Sequence, residues 1–350
     1  MSNDITRRSF LKSMAMATAG TAVSASSFAA EAKASDDAQQ LKYPDFRFKN
    51  GKFRIMQFTD THFIAGNANA KRAIENVREM LDAEKPDLVI HTGDIIFGEP
   101  AKESLTELLK TIGDRRIPWA VALGNHDGQF GMSRKEVYDY VRTLPYNINT
   151  PQKKDVYGDS NDLITLSSTD GKKQWAFYLL DTGENYKDEN IDVYEYLRFS
   201  QVAWYRQESM RLTQENGGKP LKAMAFMHIP FLEYMDALSD SHHILKGNWG
   251  EEPCPSKVNS GMFSAMYEMG DVMAMVSGHD HDDDFVMKWR GRYLIYGRYS
   301  GGDTVYNNLR PNGCRMFEIT EGEEGFRTYI RLSGGKIEQD LNIPDSFKKY

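Results

Sequence analysis

Five short blocks in this 350-residue chain carry side chains suited to holding metal ions: Asp60-Thr61-His62, Gly93-Asp94, Gly124-Asn125-His126-Asp127, His228 and Gly278-His279-Asp280-His281. Of the chain's 8 histidines, His62, His126, His228, His279 and His281 fall in these blocks, while His91, His242 and His243 read as structural or surface residues. Imidazole, carboxylate and a carboxamide oxygen together suit borderline divalent ions such as Zn, Fe, Mn or Co. Two such ions about 3.5–4 Å apart can share one carboxylate and clamp a hydroxide between them. Cys254 and Cys314 are the only cysteines, and no Cys-x-x-Cys occurs, so thiolate zinc sites and redox dithiols are not expected. An oxidising destination permits a Cys254–Cys314 disulfide, but two unpaired thiols is the preferred reading.

Such residues need elements that bring them to one place. Phe53 to Thr59 reads as a strand ending at Asp60, Asp87 to Thr92 as a strand ending at Gly93-Asp94, and Ile117 to Leu123 as one ending at Gly124-Asn125. Helical spacing separates them: Ala70, Ala73, Ile74, Val77, Met80 and Leu81 share one face, as do Leu105, Leu108, Leu109 and Ile112. Ser133 and Glu136 form a capping box for a helix to Val141. Alternation of this kind predicts a mostly parallel sheet with helices packed on it, where ligands gather at the carboxyl ends of strands.

Further strands are expected in the second half. Asp162 to Ser167 and Gln174 to Leu180 form a hairpin, Leu221 to Met227 ends at His228, and Val272 to Ser277 ends at Gly278. Phe285 to Trp289 and Tyr293 to Tyr296 form a second hairpin, and Met316 to Ile319 and Phe326 to Leu332 close the chain. Ser200 to Gln214 and Phe263 to Met269 read as helices, and Asp236 to Val258 as a long irregular stretch. The glycines before Asp94, Asn125 and His279 let the backbone turn sharply.

Hydrophobic residues make up 40% and charged residues 27%, ordinary values that exclude a disordered, collagenous or disulfide-dense chain. The net charge of -7 argues against a nucleic-acid polymer as partner, since phosphate backbones require a basic footprint. Mean hydropathy is -0.58, and no apolar run is long enough to anchor the chain in a membrane.

The amino-terminal residues form an address. Arg7-Arg8-Ser9-Phe10-Leu11-Lys12 precedes a weakly apolar run from Ser13 to Ala30, and Ala30-Glu31-Ala32 and Ala32-Lys33-Ala34 offer cleavage sites. This resembles a twin-arginine signal peptide, which implies recognition by that export machinery and a periplasmic or secreted destination. The expected organisation is a signal peptide over 1–34, a tether over 35–51 and a single domain over 52–350.

The five blocks, in this order and spacing, resemble the calcineurin-like metallophosphoesterases from about Lys52 to about Tyr299. The resemblance implies an αββα sandwich, two central mixed β-sheets flanked by helices, with two divalent ions. It implies that Asp60, His62, Asp94 and His281 hold one ion, that Asn125, His228 and His279 hold the other, and that Asp94 bridges. His126 would face the leaving group, and Asp127 would orient its neighbours. Lys85-Pro86-Asp87, Asn259-Ser260-Gly261 and Gly278-His279-Asp280-His281 look most like a branch related to purple acid phosphatases. Those enzymes place a tyrosine after Gly-Asp-x-x and lack a histidine matching His62. Here Gly93-Asp94-Ile95-Ile96-Phe97 has Phe97, so His62 is expected in the tyrosine's stead, with divalent rather than ferric iron.

The activity implied is hydrolysis of a small phosphorylated ester by hydroxide attacking in line, with the His126 imidazolium assisting the leaving oxygen. Alternatives are a phosphodiesterase on a small diester and a non-catalytic protein that binds metal or a phosphorylated ligand. Arg298 and Asn259 are candidate phosphate contacts, Arg298 because guanidinium matches phosphate bidentately. For the export signal, Arg7→Lys with Arg8→Lys should leave the precursor in the cytoplasm on fractionation; normal export of the double variant would refute the twin-arginine assignment.

Overall fold

The first long strand, β2 (Lys52–Phe58), follows β1 (Phe46–Arg47) and is buried on both faces. Phe53 and Ile55 enter a core between two sheets, whereas Met56 and Phe58 enter a core beneath helices. β3 (Leu88–His91) divides the same way, Leu88 and Ile90 inward and Val89 outward. Short apolar runs buried on both faces are what a parallel sheet covered on both sides requires. A four-layer α/β sandwich follows. The computed structural model describes residues 44–186 and 193–348; the expected signal peptide at 1–34 lies outside the described residues.

The remaining strands are β4 (Trp119–Val121), β5 (Asp162–Ser167), β6 (Lys173–Leu180), β7 (Lys222–Met227), β8 (Ile244–Lys246), β9 (Val272–Ser277) and β10 (Val286–Trp289). They continue with β11 (Arg292–Tyr296), β12 (Gly313–Thr320), β13 (Phe326–Leu332) and β14 (Ile337–Ile343). One sheet has six strands in the order β14-β13-β12-β2-β3-β4, parallel only across β2, β3 and β4. The other has eight in the order β1-β5-β6-β7-β9-β11-β10-β8, with a parallel run β6-β7-β9-β11.

Three helices cover the six-stranded sheet: α1 (Lys71–Glu84), α2 (Ala101–Gly113) and α3 (Arg134–Val141). Ile74, Val77 and Leu81 of α1 and Leu105, Leu108 and Ile112 of α2 bury the faces expected from their spacing. The Ser133–Glu136 capping box opens α3. The eight-stranded sheet carries α4 (Phe199–Glu215), α5 (Glu233–Ser239) and α6 (Met262–Met269), through Trp204, Tyr205, Tyr234 and Met266.

Three features depart from the sequence reading. The stretch Asp236 to Val258 is not wholly irregular: it holds most of α5 and all of β8. β14 adds an edge strand that the pattern did not announce. Within the expected tether, Phe46 and Phe48 are buried and β1 pairs in parallel with β5, so the folded domain begins before residue 52. Cys254 is exposed, Cys314 is buried, and they are not bonded.

Two polar side chains join the sheets. Gln57 of β2 donates through Nε2 to Thr92 Oγ1 at 2.9 Å and to the Ser277 carbonyl at 3.1 Å, linking the ends of β3 and β9. Arg315 of β12 donates to the Tyr296 carbonyl at 2.7 Å and to the Asp284 carbonyl. Among the described residues no helix is long and apolar enough to cross a membrane.

Candidate metal centre

β2, β3 and β4 of one sheet and β7 and β9 of the other end beside one another, and each is followed by one of the five blocks. The turns that follow are tight. Asp60, His62, Asp94 and His279 all have left-handed backbones, with φ of 53°, 43°, 52° and 79°. Such conformations cost an L-residue roughly 1–3 kcal/mol each and persist only where surroundings impose them. Glycines supply the room. A Cβ on Gly124 would strike the Asp94 carboxylate, and one on Gly278 would lie 2.7 Å from Asp60 Oδ2. Of Gly93, Gly124 and Gly278, Gly93 alone, at φ 86°, combines the positive φ with the close approach.

These turns bring all the expected ligands together. Asp60, His62 and His281 form one set of converging donor atoms, and Asp60, Asp94 and His228 a second. Asp94 Oδ2 lies 3.2 Å from His228 Nε2 and 3.8 Å from His62 Nε2, so it faces both sets. Asp60 Oδ1 lies 3.6 Å from His281 Nε2 and 3.8 Å from His62 Nε2. Asn125 Oδ1 is 3.0 Å and His279 Nδ1 3.3 Å from His228 Nε2.

The donors fit metal ions. Asp60 Oδ1 is buried and accepts no hydrogen bond, a costly state for a carboxylate oxygen unless a cation meets it. His228 Nδ1 donates to the Thr92 carbonyl at 2.7 Å, and His281 Nδ1 to the Tyr306 carbonyl at 2.9 Å. Each ring therefore turns its Nε2 lone pair inward, the arrangement usual in metal-binding histidines. Burial pushes His62 and His279 down to about 3, so both are neutral lone-pair donors at ordinary pH. Burial alone would lower His228 as well, but the Asp94 and Asp60 carboxylates outweigh it and raise it to about 9. A proton and a cation compete for that nitrogen. Asp94 stays ionised far below the usual carboxylate range, because His228 and His62 overcome the cost of burial.

Asp127 is a clamp. Its Oδ2 accepts from Gly124 N at 2.8 Å and Asp94 N at 3.1 Å, and its Oδ1 from Ile95 N at 2.7 Å. Burial and the Asp94 charge raise it to about 6. His126 stands at the rim, partly exposed, with Nδ1 on Gln129 Oε1 at 2.7 Å; its backbone N–H donates to Asp94 Oδ1 at 2.8 Å. The Phe97 ring packs edge-on against His62 and His126 with centroids 5.1 and 4.9 Å away.

The two candidate phosphate contacts stand otherwise. Arg298 is buried with its guanidinium on Asp284 and the Pro311 carbonyl. Asn259 bridges Glu233 Oε1 and Gly261 N, fixing the entry to α6. His91 is buried against Thr61 Oγ1 at 3.0 Å, and His242 is exposed against Asp240. Thr59 Oγ1 donates to Asp60 Oδ2 at 2.6 Å and Asn125 Nδ2 donates to Asn185 Oδ1 at 3.3 Å; Thr59, Asn185, Gln129 and Tyr306 are not among the residues expected from the sequence. Gln129 had a visible signal in its spacing three residues after His126; Asn185 and Tyr306 lie in loops with none.

The profile of the calcineurin-like phosphoesterases matches residues 53–283, and the chain belongs to that family. Over 283 residues, 71% of this chain and 72% of the relative, it is 31% identical to an Arabidopsis thaliana protein named probable inactive purple acid phosphatase 29. It is 27% identical to phosphatase DCR2 of Saccharomyces cerevisiae, across 88% of this chain and 59% of that protein. Among solved structures, a dimetal phosphatase from Danio rerio has the same fold, with a TM-score of 0.56 over 83% of this chain and 98% of that one at 14% identity. The family typically binds a dinuclear metal centre, and the donors converge here as one would require.

Two measurements follow from the geometry. Removing the Arg298 guanidinium strands the buried Asp284 charge, so Arg298→Met should cost about 3–5 kcal/mol in urea unfolding. Unchanged stability with a raised KM would instead make Arg298 a substrate contact. At the candidate centre Phe97 packs against His62 and has no oxygen to give an ion. Iron-loaded protein should therefore show no tyrosinate charge-transfer band; such a band would overturn the place given to His62.

Proposed function

We propose that this chain is an exported hydrolase of small phosphate esters that works with two divalent ions. The observation that supports it most is the convergence of Asp60, His62, Asp94, Asn125, His228, His279 and His281, with a partly exposed His126 beside them. Asp60, His62, Asp94 and His281 would hold one ion, and Asn125, His228 and His279 the other, with Asp94 common to both. When bound, divalent ions supply Lewis acidity toward phosphoryl oxygens and lower the pKa of water toward neutrality.

The chain's own residues do the rest. Asp94 is held in position by the His126 N–H on its Oδ1, which leaves Oδ2 toward the ligands. Asp127 fixes the turns that carry Asp94 and Asn125. His126, protonated, gives its proton to the leaving oxygen and so prevents an alkoxide from forming. The Phe97 ring shields one side of that imidazole from water. Export rests on Arg7-Arg8 and the weakly apolar run after it, with the twin-arginine machinery as partner and a periplasmic or secreted location.

A second reading, a protein that holds metal or a phosphorylated ligand without turnover, is favoured by the plant relative's name. The complete donor set beside His126 favours turnover. Purified, metal-analysed protein should cleave an aryl phosphate or a bis-aryl phosphodiester, and chelator should abolish the activity. His126→Ala should keep its metals and lose about 10²–10⁴ in rate. His281→Ala and Asp94→Ala should lose metal itself. Metal-loaded protein that turns over neither substrate would favour the non-catalytic reading, and metal loss in His126→Ala would make His126 a ligand.

A further inference from the structure

A chain of three carboxamides connects the metal centre to His126. Gln129 Nε2 donates to the Asn125 backbone carbonyl at 3.2 Å. That carbonyl can only accept, so it fixes which end of the amide faces which way. Gln129 Oε1 must therefore face His126 Nδ1, 2.7 Å away, and Nδ1 carries the proton. The same Nε2 donates to Asn185 Oδ1 at 3.1 Å, and Asn185 Oδ1 also accepts from Asn125 Nδ2 at 3.3 Å. Asn125 thus turns its Nδ2 away from the metal centre to Asn185 and its Oδ1 toward His228.

Asn185 is itself held in place. It bridges to Tyr194 across a short antiparallel pair, in which Tyr186 N donates to the Val193 carbonyl at 2.8 Å and Glu195 N to the Glu184 carbonyl at 2.9 Å. The Tyr194 ring stands edge-on to His279 with centroids 4.7 Å apart. The pair is thereby seated against a ligand of the metal centre.

We infer that Gln129 is the positioning residue of His126, and that Asn185 locks Gln129 to the amide of Asn125. This rests on the leaving-group role proposed for His126. With Nδ1–H committed to a neutral acceptor, Nε2 is the one ring atom free to act. The Nε2 proton of the imidazolium passes to the leaving oxygen as its bond to phosphorus breaks, and the neutral ring keeps its Nδ1 proton on Gln129. The imidazole regains an Nε2 proton from water. An acceptor on Nδ1 is needed in both states, and an amide oxygen serves in both without adding charge beside Asp94.

The test combines kinetics with a readout that needs no turnover. Gln129→Leu keeps the side chain's bulk and removes its polar atoms. Elemental analysis should find its metals unchanged. Hydrolysis of an alkyl phosphate, whose poor leaving group needs the proton, should fall about tenfold, the effect of one lost hydrogen bond. Hydrolysis of a nitrophenyl phosphate should change little. His126→Ala combined with Gln129→Leu should be no slower than His126→Ala alone, since the second change acts only through the first. Nitrogen NMR of the neutral His126 ring should report the Nδ1–H tautomer in the unmutated protein and in Gln129→Glu, and a mixture in Gln129→Leu. Asn185→Ala should shift the tautomer in the same direction, by less. Equal losses on both substrates, additive losses in the double variant, or an unmoved tautomer would each overturn the inference. If the unmutated protein hydrolyses neither substrate, the proposed activity fails, and the tautomer measurement still decides whether Gln129 positions His126.

Discussion

The carboxylate of Asp127 ties the ends of β3 and β4 together, and the candidate metal centre is built on that tie. Two oxygens receive the N–H groups of Gly124, Asp94 and Ile95 in a fully buried setting. Both turns are thereby drawn into contact so close that Gly124 can carry no side chain. Asp94 and Asn125 then point to one place although they lie on different strands. The His126 N–H closes the arrangement on Asp94 Oδ1. A carboxylate used in this way is a structural element of the turn, and its raised pKa reflects burial beside another negative charge.

Strain and electrostatics work together at this edge. Four ligand residues sit at positive φ, and two ionised carboxylates, Asp60 and Asp94, lie together in a dry interior. Neither is favourable alone. Backbone hydrogen bonds from His279 and His126 to the carboxylates, and inward-facing imidazoles oriented by the Thr92 and Tyr306 carbonyls, offset part of the cost. The remaining imbalance is negative charge facing a shared centre, which is the electrostatic requirement of a cation site.

The candidate ligands stand out in the sequence because they sit just after short apolar runs, with glycine beside several of them. Their spacing alone placed Asp60, Asp94 and Asn125 at one sheet edge, and the resemblance to a known family divided them between two ions. Other parts carried no such signal. β14 has few buried side chains and lies at an edge, so no alternation marks it. α5 spans only two turns, too short for helical periodicity to stand out. Arg298 matched phosphate by chemistry, yet the fold places Asp284 beside it, and only the tertiary structure reveals that pairing. Asn185 and Tyr306 act from loops, through a carboxamide and a backbone carbonyl that any sequence possesses.

Both sheets contribute candidate ligands: Asp60, His62, Asp94 and Asn125 follow strands of the six-stranded sheet, and His228, His279 and His281 follow strands of the eight-stranded one. An ion held between them would therefore work as a non-covalent rivet through the sandwich. The unfolded chain cannot assemble this donor set, so the free energy of ion binding becomes free energy of folding. Its size follows the supply of ions: a free concentration one hundred times the dissociation constant adds about 2.7 kcal/mol, and each further tenfold adds about 1.4. With ions bound, the resistance of this domain to heat and proteolysis would in that sense be set by the ionic composition around it as well as by its apolar cores.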